Sequence, residues 1–278
     1  MNESAALQAI LDDWSLPVPL TCVLAFFALL YVTGWVRIRR TRPLQFPLWR
    51  LVSFEFGLLV FWAAVGSPMD GLSDALLSAH MIEHLLIMSV VPPLVLLGAP
   101  VVPLLRGLPP WITRAVLGPL LSTRWLRAFA AFLTRPAPAW MLMNLSFLAW
   151  HAPAAYDFAL ESEFWHGVEH LCFFSTSLLF WGCLLRPWPA GKRQMGWMVL
   201  PFLVGSDIVN TIVSASLAFC GRPVYQYYVT NPNPFGVSLL DDQVLGAAIM
   251  WVFGSLIFLG PAMILTVQLL EGKKQRIA

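Results

Sequence analysis

Charged side chains are scarce in this chain: Asp, Glu, Lys and Arg make up 12% of its 278 residues, against about 25% in a soluble globular domain. A water-facing surface cannot be built from so few charges, and a soluble fold is excluded. Lysine is nearly absent. Lys192, Lys273 and Lys274 fall in loop or tail sequence, so no apolar run offers an amine for a retinal Schiff base. The four cysteines, Cys22, Cys172, Cys183 and Cys220, form no C-x-x-C pair. That excludes a disulfide framework and a thiolate metal cage, and leaves open a single Cys22–Cys220 bridge. The N-terminus lacks the basic region of a cleaved signal peptide and carries Glu3, Asp12 and Asp13 instead. No long basic patch exists for nucleic acid, because the basic residues lie in short connections. No soluble domain and no low-complexity linker is visible.

What the chain has is apolar sequence, 58% of its residues, with thirteen Trp and nineteen Phe suited to lipid-facing and interfacial surface. About 20 apolar residues cross a bilayer as a helix. Seven such runs are read at 17–36, 48–66, 75–97, 137–152, 163–185, 195–219 and 243–270. The expected fold is an all-α integral membrane protein, one polytopic domain over 1–278. Residues 100–135, with Trp111, Trp125 and five arginines, are expected to lie along the membrane surface as an amphipathic stretch.

Charge asymmetry orients these runs. Arg37, Arg39, Arg40, Arg42 and Arg50 follow the first; Arg106, Arg114, Arg124, Arg127 and Arg135 follow the third. Arg186, Lys192 and Arg193 follow the fifth, and Lys273, Lys274 and Arg276 close the chain. Sixteen of seventeen basic residues thus share one side, and Arg222 alone stands on the other with most of the acids. The expected topology places the N-terminus outside and the C-terminus in the cytoplasm.

Against that background the histidines stand out. His80-Met81-Ile82-Glu83-His84 and His166-Gly167-Val168-Glu169-His170 both read H-x-x-E-H, and His151 ends the fourth run. On a helix, with the first His at zero, the second lies near +40° and the Glu near −60°, at about 100° per residue. Each copy therefore shows two imidazoles and a carboxylate within one arc. Both runs enter from outside, which puts His84 and His170 roughly 10–15 Å below that surface at 1.5 Å per residue. Ionisable groups are costly in a bilayer and mark function. A lone intramembrane His is more often a hydrogen-bonding group between helices. Five at one depth point instead to a metal or haem site, with His80, His84, His151, His166 and His170 as metal ligands.

Glu83 and Glu169 are candidate ligands or partners that fix an imidazole tautomer. Met81 and Met88 are possible thioether ligands and more readily packing residues. Cys172 lies about 200° round the helix from His170 and belongs to another face. Asp207, Asn210, Thr211 and Ser214 form a polar stripe at helical offsets, and Asn144 shares a face with His151; both are expected to line the same cavity. Asp241 and Asp242 are read equally as caps of the last helix or as site residues. Glu55, away from the cluster, is expected to pair with Arg50.

Three blocks carry a resemblance. They are His80-Met81-x-x-His84 followed by Pro92-Pro93 and Gly98-Ala99-Pro100; Trp150-His151-x-Pro153-x-x-Tyr156-Asp157-x-Ala159-Leu160 leading into His166-x-x-Glu169-His170; and Asp242-Gln243-x-Leu245-Gly246-x-x-Ile249-Met250-Trp251. On these the sequence resembles the CtaG family of bacterial membrane proteins, assembly factors for caa-type cytochrome c oxidases, over about residues 50–270. The segment from Cys220 to Leu239 matches less well. The resemblance implies a multi-pass protein of the bacterial cytoplasmic (inner) membrane that handles copper on its outer side. A cytochrome c oxidase subunit is its implied recipient and a periplasmic copper donor a possible source. It is not expected to be an enzyme. Two alternatives stay open on the residues: b-type haem held between one His of the third run and one of the fifth, or zinc in a membrane metalloprotease of reversed H-x-x-E-H type.

Overall fold

The computed structural model describes residues 3–185 and 196–277. Arg186, Lys192 and Arg193 lie outside the described residues. Among those described there is no strand, and the chain runs through fifteen α-helices. They are α1 (Glu3–Asp13), α2 (Val18–Arg39), α3 (Leu48–Val65), α4 (Pro68–Ala75), α5 (Leu77–Leu85), α6 (Val91–Leu97) and α7 (Val101–Gly107). There follow α8 (Gly118–Ser122), α9 (Arg124–Leu133), α10 (Pro136–Trp150), α11 (Pro153–Leu160) and α12 (Glu163–Leu185). The last three are α13 (Leu200–Phe219), α14 (Gln226–Thr230) and α15 (Leu239–Ile277).

Six helical stretches are long and apolar enough to cross a membrane: Val18–Arg39, Leu48–Val65, Leu77–Leu97, Glu163–Leu185, Trp197–Phe219 and Leu239–Glu271. They match six of the seven expected runs. The remaining run, 137–152, forms α10, whose 15 residues span roughly 22 Å at 1.5 Å per residue, short of a bilayer core of about 30 Å. Pro153 starts a separate helix directly after His151. Segment 100–135 is helical in short pieces, and Trp111, Trp125, Phe129 and Phe132 are exposed along it.

The third stretch is not a uniform helix. Between α5 and α6 the residues Leu86–Val90 form a π turn, and the sequence supplies a cause. Pro92 has no N–H, so the Met88 carbonyl loses its ordinary partner four residues on. Trp181 of α12 replaces it, its Nε1 donating to Met88 O at 3.1 Å. One proline thus loosens a helix, and an indole from the neighbouring helix repairs it.

Helix α5 begins at Leu76, whose side chain gives no cap. Asp242 of α15 does that work from a distance. It accepts from Leu77 N at 2.7 Å and Ser78 N at 3.2 Å, and also from the Ser78 hydroxyl. A buried carboxylate at a helix N-terminus satisfies orphan donors and meets the positive end of the macrodipole. Gly246, one turn further along α15, lets the two helices touch: a Cβ there would lie 3.2 Å from Ser78 Cα.

Gln243 secures the adjoining loop, donating to Leu217 O and Arg222 O and accepting from Val224 N. Asp157 accepts from Gln226 N and Tyr227 N at the start of α14. The loop from Cys220 to Leu239 is therefore pinned to α11 and α15. Cys22 and Cys220 are exposed and unbridged. Glu55 does not pair with Arg50; the guanidinium lies instead over the Phe46 and Trp49 rings.

Candidate metal centre

Helices α5 and α12 face one another near their N-terminal ends and bring both H-x-x-E-H segments together. The His80 ring stacks on His166 with centroids 5.2 Å apart and planes 17° apart. Within each segment the two imidazoles are 4.2 Å apart. His84 lies 5.8 Å from His170 and 5.6 Å from His151. Burial is deep: His80, His84, Glu83, Glu169, His151 and His170 are all buried, and His166 is half-buried.

The contacts cross over between the segments. Glu83 Oε1 is 3.5 Å from His170 Nε2, and Glu169 Oε1 is 3.6 Å from His84 Nε2. First histidine meets first histidine, and each glutamate meets the other segment's second histidine, a crossed pairing of the two segments. These separations are too long for good hydrogen bonds. They suit two ligands of one tetrahedral ion, whose donor atoms sit about 3.4 Å apart when each bond is about 2.1 Å. Two groups, His80–Glu83–His166 and His80–His84–Glu169, each place three donor atoms within 4.8 Å of one another and could hold a metal ion. Both ring nitrogens of His84, both oxygens of Glu169 and Nε2 of His166 and His170 are buried without a hydrogen-bond partner. Buried polar atoms are normally satisfied, and so many orphans in one place are what a bound cation would explain.

Beside the cluster, Asp70 and Asp74 of α4 lie close enough to bear on Glu83. Burial pushes the Asp70 carboxyl up to about 6, with Asp74 and Glu163 adding to it. Three tyrosines also pack against the site. Tyr156 packs at 5.1 Å from His80 and stacks on Tyr225 at 3.8 Å. Tyr228 shares a 3.2 Å hydroxyl contact with Tyr156 and donates to Ser73 O at 2.9 Å. Tyr225 donates to His151 O at 3.2 Å. Burial raises all three phenols above their ordinary value.

The structure thus brings His80, His84, His151, His166, His170, Glu83 and Glu169 together. Asp242 is not among them: it caps α5, a helix other than its own. Asp207 is also elsewhere. It joins neither donor group and faces away from the cavity under His84, which meets Ser206 and Asn210 instead. The buried polar residues of α13 are Ser206, Asn210 and Ser214: two of the four stripe residues, Asn210 and Ser214, lie on the face covered by α10 and α15, while Asp207 and Thr211 flank it. Met81 is core, packed with Leu77, Tyr156 and Leu217. The tyrosines were overlooked because two of them arrive at the start of and within the five-residue α14, too short for periodicity to be read; Tyr156-Asp157 was the available signal.

Crossing helices around a buried His–Glu cluster define a multi-pass α-helical membrane protein with a candidate ion site inside its bundle. The chain belongs to the cytochrome c oxidase caa3 assembly factor family (Caa3_CtaG), whose profile matches residues 29–272. It is similar to uncharacterized proteins of Mycobacterium leprae (strain TN), 25% identical over 231 residues, and Mycobacterium bovis (strain ATCC BAA-935 / AF2122/97), 25% identical over 266 residues. The matches cover 80% and 90% of this chain, but 34% and 38% of those proteins. The chain therefore spans little more than a third of the curated relatives it matches. No solved structure matches it.

Proposed function

We propose that this protein serves assembly of a caa3-type haem–copper oxidase by binding copper in the His–Glu cluster and passing it to an oxidase subunit. The observation that carries the reading is the crossed pair of Glu–His contacts at 3.5 and 3.6 Å, with their unpartnered buried donors. Imidazole and carboxylate donors suit a borderline divalent ion such as Cu²⁺. The reaction is ligand exchange, with no covalent intermediate. Stacking of His80 on His166 favours an ion over haem, which needs an open slot between its axial histidines. It also favours a bound ion over a peptidase, since each glutamate faces an imidazole rather than a cleft.

The reading includes seven crossings, N-terminus outside and C-terminus cytoplasmic, in the bacterial inner membrane. What supports α10 as the short seventh is its position along α12. Cys183, near the end of α12, donates to Thr134 O at 3.0 Å just before α10 starts. His151, at the other end, meets Phe173 at 5.9 Å. The helix thus runs antiparallel beside much of α12 and carries the chain from the arginine-rich side to the histidines.

The test is copper analysis and X-ray absorption on protein purified without a histidine tag, beside the double variant His84→Ala, His170→Ala. The expected result is bound copper with a nitrogen/oxygen shell in the native protein, lost in the variant together with oxidase assembly. Native protein free of copper under oxidising and reducing conditions, with full assembly by the variant, overturns the reading.

A further inference from the structure

Below His84 lies a cavity of about 30 Å³, lined by His84, His151, Met88, Met143, Met250 and Asn144 among others. A void of this size takes a single ion or two to three waters, at about 10–15 Å³ each. Its chemistry differs from that of the cluster above it.

One observation is a fixed tautomer. His151 Nδ1 lies 2.9 Å from the carbonyl oxygen of Phe147. A carbonyl can only accept, so Nδ1 carries the proton and Nε2 keeps its lone pair. That Nε2 is buried and has no hydrogen-bond partner. Anchoring one imidazole nitrogen on a backbone carbonyl is how proteins orient the other toward a metal.

The other observation is three buried methionines that line this cavity from three elements: Met88 from the π turn, Met143 from α10 and Met250 from α15. The amide donors around them are already engaged. Asn144 Nδ2 donates to Trp140 O and Ser206 Oγ, and Asn210 Nδ2 donates to Met250 O. Neither glutamate of the cluster lines this space. Thioethers are soft ligands that select Cu(I), whereas carboxylates suit harder ions.

We propose that this cavity is a second, cuprous site, sharing His84 with the His–Glu cluster, in which Cu(I) is held by His84, His151 and the thioethers of Met88, Met143 and Met250. The proposal rests on the copper reading of the cluster. The ion for this cavity arrives from outside already as Cu(I), distinct from the divalent ion that the carboxylates of the cluster suit, so no electron transfer is required. It is exchanged from imidazole onto thioether sulfur with no change of oxidation state.

The test is anaerobic loading of the full chain with Cu(I), and separately with redox-inert Ag(I), followed by metal counting and X-ray absorption. The expected spectrum contains sulfur as well as nitrogen scatterers. In Met88→Leu, Met143→Leu, Met250→Leu the sulfur component and one metal equivalent are lost, while nitrogen/oxygen-bound copper remains. Copper bound with no sulfur component in the native protein overturns the cuprous site and leaves the cluster standing. So does a sulfur component that survives the triple substitution. Absence of bound copper altogether overturns both. The native spectrum decides even where the triple variant fails to fold, and Met143→Leu alone then serves as the weaker perturbation, expected to reduce the sulfur component.

Discussion

Asp242 shows how far a single residue's role can lie from its own helix. Its carboxylate caps α5, which carries His80, Glu83 and His84. Asp242→Ala is expected to cost about 1–2 kcal/mol, the upper range for a lost helix cap, read as a lower unfolding midpoint in detergent. Asp242→Asn, which still accepts hydrogen bonds, should retain more than half of the stability lost in the alanine variant. Asp70 makes a prediction of opposite character. Its carboxyl holds a proton up to about 6 against an ordinary 3.8, so the folded state binds more protons than the unfolded chain between those values. Stability attributable to Asp70 therefore falls as pH rises from about 4 to about 6. Asp70→Asn should flatten that part of the unfolding-midpoint profile, and an unchanged slope would refute the assignment.

At the scale of the element, the π turn and α12 depend on one another through Trp181 and Met88. Trp181→Phe keeps an aromatic ring and removes the donor, leaving the Met88 carbonyl unpaired. The expected loss is about 1–3 kcal/mol, the cost of an unsatisfied buried acceptor, measured by thermal unfolding. Because Met88 belongs to the cavity, the same variant should also alter Cu(I) binding there while leaving the nitrogen/oxygen-bound copper in place. The helices that bear histidines were legible from sequence because an i, i+4 pair beside a glutamate has only one helical interpretation. Partners in space were not. Asp242 reads equally as a cap of α15 or as a site residue, because local spacing says nothing about a neighbouring helix start. Of the stripe expected on α13, Asn210 and Ser214 are buried, whereas Asp207 and Thr211 are only partly so, since a polar stripe shows which residues are costly in lipid and not how much of it its neighbours cover. Tyr225 and Tyr228 sit at the start of and within the five-residue α14, too short for periodicity to be read, where only tertiary contacts give meaning to a side chain.

For the whole molecule, apolar run length marks seven candidate crossings in the sequence, and six of them form helices long and apolar enough to cross a membrane; the run at 137–152 forms α10, whose 15 residues fall short of a bilayer core. Topology is testable by single-cysteine labelling from either side of inverted and right-side-out vesicles. With seven crossings, a cysteine at Ser162 labels from outside and one at Ser122 from the cytoplasmic side. Labelling of both from one side removes α10 as a crossing. The crossed pairing of α5 and α12 has a further consequence, in time rather than space. Neither helix holds a full donor set: Glu83 needs His170, and Glu169 needs His84. A nascent chain that has inserted α5 carries half of a site until more than seventy further residues have followed and α12 has docked. On the proposed copper reading, only the finished bundle would present both crossed Glu–His pairs to an ion.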